Sequence, residues 1–272
     1  MPTILKQYRE IKKALQVAGF PEADAEARLI VADALGISLG DIFLTADSEA
    51  DFDSSAVLQK RLSGMPLAYA MNKRYFMGFP FYVDENVLIP RQDTEVTVQT
   101  AIHLIAEKGY ETVLDLCCGS GCIGISAAKL TGAHVLGTDI RAEAVRIANS
   151  NAKSLSVKNY RAHKSDLFSH IDETFDLIVS NPPYVTEAEY ETLEPQVRDF
   201  EPRGALVGGL GFYERIAAQA AGHLNPGGSM VLETGAGQKD AVRAILEQNG
   251  FKNIESIKDI AGRHRVIVCM TS

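Results

Sequence analysis

The sequence predicts an α/β protein in which a small α-helical domain precedes a seven-stranded, mostly parallel sheet covered by helices. Three observations support this. Residues 1–73 show only the helical period of apolar residues, residues 74–90 are rich in aromatic and β-branched residues, and from Glu111 onward short apolar strands alternate with helices. We therefore expect a helical domain over 1–73, a β-hairpin linker over 74–90 and an α/β domain over 91–272.

Three amphipathic patterns predict the helices of the first domain. Each pattern ends at a glycine, which favours a helix C-terminus because glycine adopts the left-handed conformation without strain. These glycines are Gly19, Gly36 and Gly64. In the first pattern the apolar stripe consists of Ile4, Tyr8, Ile11 and Leu15.

The segment RYFMGFPFYVDENVLIPR, residues 74–91, predicts the hairpin. It is rich in aromatic and branched residues and is interrupted by glycine, proline and a polar turn. A helix is predicted next, over EVTVQTAIHLIAEKG at residues 95–109. Asp93 or Thr94 is its expected N-cap, since both side chains can accept a hydrogen bond from the first helical turn.

Seven strand-like segments follow, separated by helical ones. Such alternation predicts a parallel sheet with helices on both faces, and the last two segments predict an antiparallel pair. The strand segments are TVLDLC, HVLGTDI, YRAHKSDL, FDLIVSN, SMVLETG, NIESIKDI and RVIVCMT.

The composition is that of a globular protein. With 272 residues, of which 46% are hydrophobic and 23% charged, the chain can bury a large core. No apolar run approaches the ~18 to 20 residues that a membrane helix needs, and the first segment turns polar within a few positions. We expect a cytoplasmic protein that does not bind membranes.

Charge and cysteine content argue against two classes of partner. The net charge of −8 disfavours an extensive phosphate-binding surface, so we expect no direct nucleic acid binding. Cys117, Cys118 and Cys122 form one cluster without a second ligand pair, which favours packing beneath a turn over a zinc site. We expect no metal and no disulfide framework.

A glycine-rich loop joins the first strand of the sheet to its helix, in the segment VLDLCCGSGCIGISAAK. It contains GxGxxG from Gly119 to Gly124, and Asp139 lies 20 residues past Gly119 at the end of the next strand. Taken alone, this pattern indicates a dinucleotide such as NAD, whose ribose the acid would bind.

Acidic residues favour a different cofactor. Asp115, Asp139 and Asp166 lie at three successive strand ends, where ligands of open α/β sheets bind. Carboxylates repel a pyrophosphate, whereas S-adenosylmethionine is cationic at its sulfonium and amino groups and tolerates them. We therefore favour S-adenosylmethionine over NAD, while a structural role as helix cap or loop residue stays open for each acid.

The string NPPY, residues 181–184, follows the fourth strand of the sheet. Two prolines commonly end a strand, but this position brings Asn181 to the same edge as the acids. The Asn181 side-chain carbonyl and the Pro182 backbone carbonyl can together accept both protons of an NH₂ group, while Tyr184 stacks on the planar group. The chemistry indicated is methyl transfer to an amide or to the exocyclic amine of a base.

The chain resembles the peptide chain release factor glutamine N-methyltransferases, the PrmC/HemK family. Beyond NPPY and the glycine loop, five strings carry the resemblance, and they run in the family's order from the helical domain to the last strand. The strings are RLSGMPLAY, FYVDENVLIPRQDTE, FEPRGALVGG, YERI with LNPGG, and AGRHRV.

The resemblance implies a Rossmann-like domain that uses S-adenosylmethionine to methylate the glutamine of the GGQ loop in class 1 release factors. It implies that Asp139 binds the ribose, that Asp166 and Leu167 bind the adenine, and that the first domain docks the protein substrate. The cofactor candidates are Asp115, Cys117, Cys118, Gly119, Ser120, Gly121, Asp139, Asp166, Leu167 and Asn181. The substrate candidates are Asn181, Pro182, Pro183 and Tyr184, of which Asn181, Pro182 and Tyr184 are the candidate catalytic residues.

Cys117 departs from the family pattern, because a glycine is usual at this first position of the loop. A side chain there is tolerable only if φ is negative and the thiol points away from the cofactor, and the effect of Cys117 on the cofactor contact stays open.

Other substrates stay open at this point. A ribosomal-protein glutamine methyltransferase would share the NPPY chemistry. A base methyltransferase acting on DNA or RNA is disfavoured by the net charge of −8, and a binding scaffold without turnover is disfavoured by the intact NPPY.

Overall fold

The computed structural model describes residues 2–271, which divide into two compact units between Lys73 and Arg74. The first unit is helical, and the second contains the strands of both sheets. None of the helices in residues 2–271 combines the length and the apolar composition that crossing a membrane requires.

The first unit is built from helices α1 to α5. The Thr3 hydroxyl caps α1 by accepting a hydrogen bond from the Lys6 N–H at 3.3 Å. The buried side of α1 is the predicted stripe, which confirms the helical period of this segment. The chain turns at Gly19 and Gly36 with φ of 84° and 66°. The helices are α1 Ile4–Val17, α2 Ala23–Leu35, α3 Asp41–Leu44, α4 Ser55–Leu62 and α5 Leu67–Ala70.

The second unit opens with a β-hairpin of β1, Arg74–Phe76, and β2, Phe79–Phe81. Met77 and Gly78 form its two-residue turn, both with positive φ, as the twist of a tight hairpin requires. The hairpin is shorter than predicted, because residues 82–91 form no strand. Each strand ends on a phenylalanine buried in the core of the second unit, so the hairpin packs as part of that unit.

Helix α6, Glu95–Lys108, begins after a single 3₁₀ turn at Gln92–Thr94. The predicted side-chain cap is wrong, because neither Asp93 nor Thr94 caps the helix. The Asp93 carboxylate instead accepts hydrogen bonds from two arginines near the C-terminus, and the Thr94 hydroxyl accepts one from Asn181. These bonds tie the start of α6 to the edge of the main sheet.

The main sheet has seven strands: β3 Thr112–Leu116, β4 His134–Asp139, β5 Tyr160–Lys164, β6 Phe175–Ser180, β7 Leu224–Glu233, β8 Lys252–Lys258 and β9 His264–Met270. Their spatial order is β5-β4-β3-β6-β7-β9-β8. All run parallel except β9, which pairs antiparallel with both β7 and β8. The predicted parallel sheet closed by an antiparallel pair is confirmed.

Helices cover both faces of this sheet, and alternate residues of β3 enter opposite cores. Val113 packs in a cluster that includes residues of α6 and of the two helices that follow β3 and β4, whereas Leu114 and Leu116 pack in a cluster on the other face. The helices are α7 Cys122–Thr131, α8 Ala142–Ser154, α9 Glu187–Tyr190, α10 Pro195–Arg198, α11 Gly211–Ala220 and α12 Lys239–Gln248.

The order of the strands reverses between β3 and β6. From β3 the chain moves outward to β4 and β5, and it then returns to place β6 on the other side of β3. Connections that leave in opposite directions open a crevice at the carboxyl ends of the two central strands. The residues that follow β3, β4, β5 and β6 therefore meet at one edge of the sheet.

Candidate active site

A cleft of about 960 Å³, measured to its open mouth, lies at this edge. It is lined by residues at or after the carboxyl ends of β3, β4, β5 and β6, and by segments before α6 and around the start of α11. The predicted site residues that line it are Cys117, Cys118, Gly119, Ser120, Asp139, Asp166, Leu167, Asn181 and Pro183.

Cys117 is the first residue after β3, and its φ of 57° lies in the left-handed region. The condition of a negative φ, under which a side chain at this position would be tolerated without strain, is therefore not met. A side chain in this region costs about 1–2 kcal/mol, because Cβ crowds the following carbonyl. The next residue holds the bend in place, since the Cys118 N–H donates to the Thr138 carbonyl at 2.9 Å.

The three clustered thiols are protonated and largely buried. Burial raises the pKa of the Cys122 thiol to about 12, and it also raises the pKa of the Cys117 and Cys118 thiols above the usual range. Cys118 and Cys122 belong to the apolar core on one face of the sheet. Within residues 2–271 no group of three or more potential metal ligands is placed to hold an ion.

Two glycines of the loop make room for a buried tyrosine. A Cβ on Gly121 would lie 3.0 Å from the Tyr160 hydroxyl, and one on Gly124 would lie 2.8 Å from the Tyr160 ring. Gly137 of β4 is constrained in the same way, since its Cβ would lie 2.2 Å from that hydroxyl. Gly121 does not line the cleft, so the structure does not give it the predicted cofactor contact.

Asp115 is buried beneath the loop and has no surface in the cleft. Its Oδ2 accepts the Gly124 N–H at 2.9 Å, which places a carboxyl group at the first turn of α7. Burial raises the pKa of this carboxyl to about 7. Asp115 therefore supports the loop from inside, and its contact with a cofactor stays a prediction.

Asp139 is the acid that reaches the cleft. Its Oδ2 accepts the Gly119 N–H at 3.0 Å, and its Oδ1 accepts the Arg141 N–H at 2.9 Å. Burial raises the pKa of its carboxyl above the ordinary value. Each oxygen keeps a lone pair for a further donor, so a ligand with two neighbouring hydroxyl groups suits this position.

Asp166 and Leu167 line the cleft in different ways. The Asp166 carboxylate is paired with the Arg215 guanidinium at 2.7 and 2.8 Å, and both side chains are about half exposed. Leu167 is buried, with φ of 50°, and its carbonyl accepts the Ser165 hydroxyl proton at 2.8 Å. Leu167 thus offers an apolar surface, while the Asp166 carboxylate is already engaged.

Asn181 is the first residue after β6. Its Nδ2 group donates to Thr94 Oγ1 at 3.3 Å. Among the described residues no donor engages its Oδ1, which leaves a side-chain carbonyl available in the cleft. The neighbouring Ser180 hydroxyl donates to the Leu116 carbonyl at 2.9 Å, which joins the ends of the two central strands.

The remaining NPPY residues are more enclosed than predicted. Pro182 is buried and does not line the cleft. Tyr184 is partly buried against Gly235, its carbonyl accepts the Gln238 Nε2 proton at 2.8 Å, and burial raises the pKa of its hydroxyl to about 12. The structure therefore does not display the Tyr184 ring on the cleft wall.

Sequence reasoning missed several residues of the cleft. Arg91 lines it and is paired with the buried Glu201, which also accepts the Ile89 N–H at 3.1 Å. These contacts bring the segments VLIPR and FEPRG together. Both strings were visible in the sequence, but their charged residues are far apart along the chain and carry no spacing that indicates a pair. Other missed lining residues are Thr94, Ile140, Arg141, Phe212 and Arg215.

Comparison with known proteins gives matches along most of the chain. Two family models match, the PrmC N-terminal domain over residues 7–71 and the methyltransferase small domain over residues 95–198. The release factor glutamine methyltransferase of Clostridium acetobutylicum is 38% identical over 243 residues, 84% of this chain and 85% of that protein. This chain belongs to the release factor glutamine methyltransferase family. The Geobacter sulfurreducens family member is 35% identical over 274 residues, covering 97% of this chain and 95% of that protein.

Solved structures outside this family share the fold. A ribosomal protein methylase from Lactobacillus delbrueckii subsp. bulgaricus has a TM-score of 0.50 at 24% identity, over 70% of this chain and 83% of that one. A 16S rRNA methyltransferase of Thermus thermophilus, solved with AdoMet and guanosine, has a TM-score of 0.56 at 19% identity, over 74% of this chain and 50% of that one. At these identities the likeness concerns the fold alone.

Two buried acids should make the protein more stable in mild acid than above neutrality. Burial raises the pKa of Asp115, and of Glu233 at the end of β7, to about 7 in each case. Between about pH 4 and 7 the native state then holds protons that the unfolded state has lost, so the free energy of unfolding falls as pH rises. Asp115→Asn keeps an acceptor for the Gly124 N–H and should make this fall smaller. Urea unfolding at pH 5 and pH 8 measures the change in the free energy of unfolding, and Asp172→Asn at the surface serves as the control. If Asp115→Asn shows the same pH dependence as the wild type, the prediction is wrong.

Proposed function

We propose that this chain transfers a methyl group from S-adenosylmethionine to the side-chain amide nitrogen of the glutamine in the GGQ motif of class 1 release factors. Family membership supports the reaction and the protein substrate. The observation that carries the assignment of residues is the position of Asn181, whose unengaged side-chain carbonyl shares one cleft with the Asp139 carboxylate.

The residues of the cleft fit S-adenosylmethionine better than a dinucleotide. A pyrophosphate would need free N–H groups at the start of α7, but the Gly124 N–H is taken by Asp115 and the Gly121 N–H by the Cys118 carbonyl at 2.7 Å. Asp139 suits the two ribose hydroxyls. The apolar Leu167 and Ile140 suit the adenine, and residues 117–120 remain for the methionine part.

The bound cofactor supplies an electrophilic methyl group on a positively charged sulfur. The task of the protein is to hold a poor nucleophile, since the lone pair of an amide nitrogen is delocalised into its carbonyl. In the proposed arrangement Asn181 Oδ1, on the cleft wall, accepts one N–H proton of the glutamine, and the enclosed Pro182 carbonyl accepts the other once the bound glutamine reaches it, so that the nitrogen lone pair is directed toward the methyl group. Pro182 has no N–H of its own to compete for these contacts.

The two acceptors act most strongly in the transition state. As the nitrogen gains a methyl group it also gains positive charge, and fixed carbonyl dipoles stabilise that charge more than they stabilise the neutral amide. No general base is needed for the transfer itself, because the proton of the methylated nitrogen becomes acidic once the bond has formed.

We assign the first unit, residues 1–73, to docking of the release factor. Its match to the PrmC N-terminal domain supports this role. Every residue that lines the cleft lies between Val87 and Arg215, so the first unit contributes none of the cofactor contacts proposed above.

The substrate should be identified by transfer of a labelled methyl group. We expect label in a class 1 release factor, lost when the glutamine of its GGQ motif is replaced by alanine. A ribosomal protein and a DNA or RNA oligonucleotide serve as comparison substrates in the same assay. Preferential labelling of either comparison substrate would contradict the proposal.

Asn181→Ala and Asp139→Ala should separate chemistry from cofactor binding. Loss of one preorganised acceptor should lower kcat by about 10²-fold in Asn181→Ala, roughly 3 kcal/mol, with little change in the Kd for S-adenosylmethionine. Asp139→Ala should weaken that Kd with less effect on kcat. Calorimetry with S-adenosylmethionine and with NAD, combined with single-turnover kinetics, measures both. The assignment of roles is wrong if Asn181→Ala loses affinity for S-adenosylmethionine while its turnover stays at the wild-type value. Tight binding of NAD would contradict the choice of S-adenosylmethionine as the cofactor.

Removal of residues 1–73 should weaken binding of the release factor by about tenfold or more, because a docking surface is lost while the cleft is kept. The Kd for S-adenosylmethionine in the remaining chain serves as the control for folding of the second unit. If that Kd is retained and the affinity for the release factor is also unchanged, the docking role is wrong.

A further inference from the structure

A series of buried hydrogen bonds runs from Asn181 into the interior. Its Nδ2 group donates to the hydroxyl of Thr94, which is only 2% exposed. Burial raises the pKa of the Glu233 carboxyl, at the end of β7, and the Thr94 side chain lies close enough to that carboxyl to offset part of this rise as a hydrogen-bond donor. Thr97, on α6, donates from Oγ1 to Oε2 of the same carboxylate at 3.1 Å. Glu233 and Thr97 are 1% and 0% exposed, so solvent does not compete for these bonds.

The Glu233 carboxylate determines which group donates and which accepts in each of these hydrogen bonds. Above the pKa of about 7 the Glu233 carboxyl is ionised, so it accepts hydrogen bonds and cannot donate them, and the single hydroxyl proton of Thr94 goes to Glu233. The Thr94 oxygen then has only lone pairs left to offer. Asn181 must meet it with the NH₂ group, and its carbonyl is consequently the end that faces the cleft.

A second set of contacts fixes the position of Thr94, so that its oxygen can accept the hydrogen bond from Asn181. The Oδ2 atom of Asp93 accepts hydrogen bonds from Arg263 and Arg265, each at 2.9 Å. Arg265 also donates to the carbonyl of Thr234, the residue that follows β7, at 3.2 Å. The strings RQDTE and AGRHRV, which had no assigned role, thus meet in the support of one turn.

We propose that Thr94 and Glu233 are positioning residues that determine which end of the Asn181 amide faces the substrate. The inference rests on the proposed function, in which Asn181 accepts a hydrogen bond from a glutamine NH₂ group. A reversed Asn181 amide would present N–H donors to a group that also donates. Because the defect lies in how the bound glutamine is presented, it lowers kcat and leaves cofactor affinity unchanged.

Kinetics of Thr94 variants test the role. Thr94→Val keeps the shape and removes the hydroxyl, and Thr94→Ser keeps the hydroxyl. Thr100→Val is the matched control: Thr100 lies on α6, is 8% exposed, and donates its hydroxyl proton to the carbonyl of Val96 in the same helix. In Glu233→Gln the side chain gains an NH₂ group that can donate to Thr94, so the direction of the series is no longer fixed.

At pH 8, where the Glu233 carboxyl is ionised, we expect kcat for release factor methylation to fall about tenfold or more in Thr94→Val and in Glu233→Gln, and to recover to within about threefold of wild type in Thr94→Ser. Thr100→Val should keep the wild-type kcat. The Kd for S-adenosylmethionine should be unchanged in all four variants. Wild-type kcat in Thr94→Val, or an equal loss in Thr100→Val, overturns the proposal.

A measurement without turnover separates this inference from the proposed function. The side-chain NH₂ signal of Asn181, identified in ¹⁵N NMR spectra by its loss in Asn181→Ala, should contain one proton that exchanges slowly with solvent. That protection should disappear in Thr94→Val and persist in Thr100→Val. If it does so while no release factor is methylated, the proposed function fails and the positioning role stands. If the Asn181 signal is the same in Thr94→Val as in wild type, the positioning role fails whatever the turnover.

Discussion

The reversal of strand order between β3 and β6 is the constraint on which the site depends. It brings the loop after β3 and the NPPY segment after β6 to one crevice, although more than sixty residues separate them along the chain. The Ser180–Leu116 hydrogen bond joins these two strand ends directly. Asp139 at the end of β4 and Asn181 directly after β6 then line the same cleft. A cofactor and an amide substrate can therefore be bound by different strands and still meet.

Much of this arrangement can be predicted from the sequence, because parallel sheets alternate strands and helices in a regular order. Alternating apolar strands and helices specify the sheet, and strand ends place Asp139, Asp166 and Asn181 at one edge before any coordinates are known. The helical period of α1 likewise specifies its buried stripe. Local patterns of this kind depend on residues that are close together in the sequence, so the sequence alone can predict them.

The errors concern contacts between distant residues, which local patterns do not encode. Asp93 and Thr94 look like helix caps, but their side chains bond arginines of β9 and its turn and an asparagine after β6. Asp115 looks like a ligand for a cofactor, but its neighbour in space is the first turn of α7. Cys117 adopts a positive φ, which is usual for glycine, and the adjoining residues do not predict this conformation. In each case the decisive partner is set by tertiary packing.

The tyrosine beneath the glycine loop has a consequence for how this protein can change over time. Its ring and hydroxyl occupy the space that side chains at positions 121, 124 and 137 would need, and these positions belong to a loop, a helix and a strand. A smaller residue at 160 would remove the two shortest contacts of a side chain at position 137, whereas positions 121 and 124 would stay closed by Ile125 and Asp115, each 2.7 Å from the Cβ. Positions 137 and 160 are therefore coupled in evolution, and a larger residue at 137 becomes accessible only after Tyr160 has been replaced.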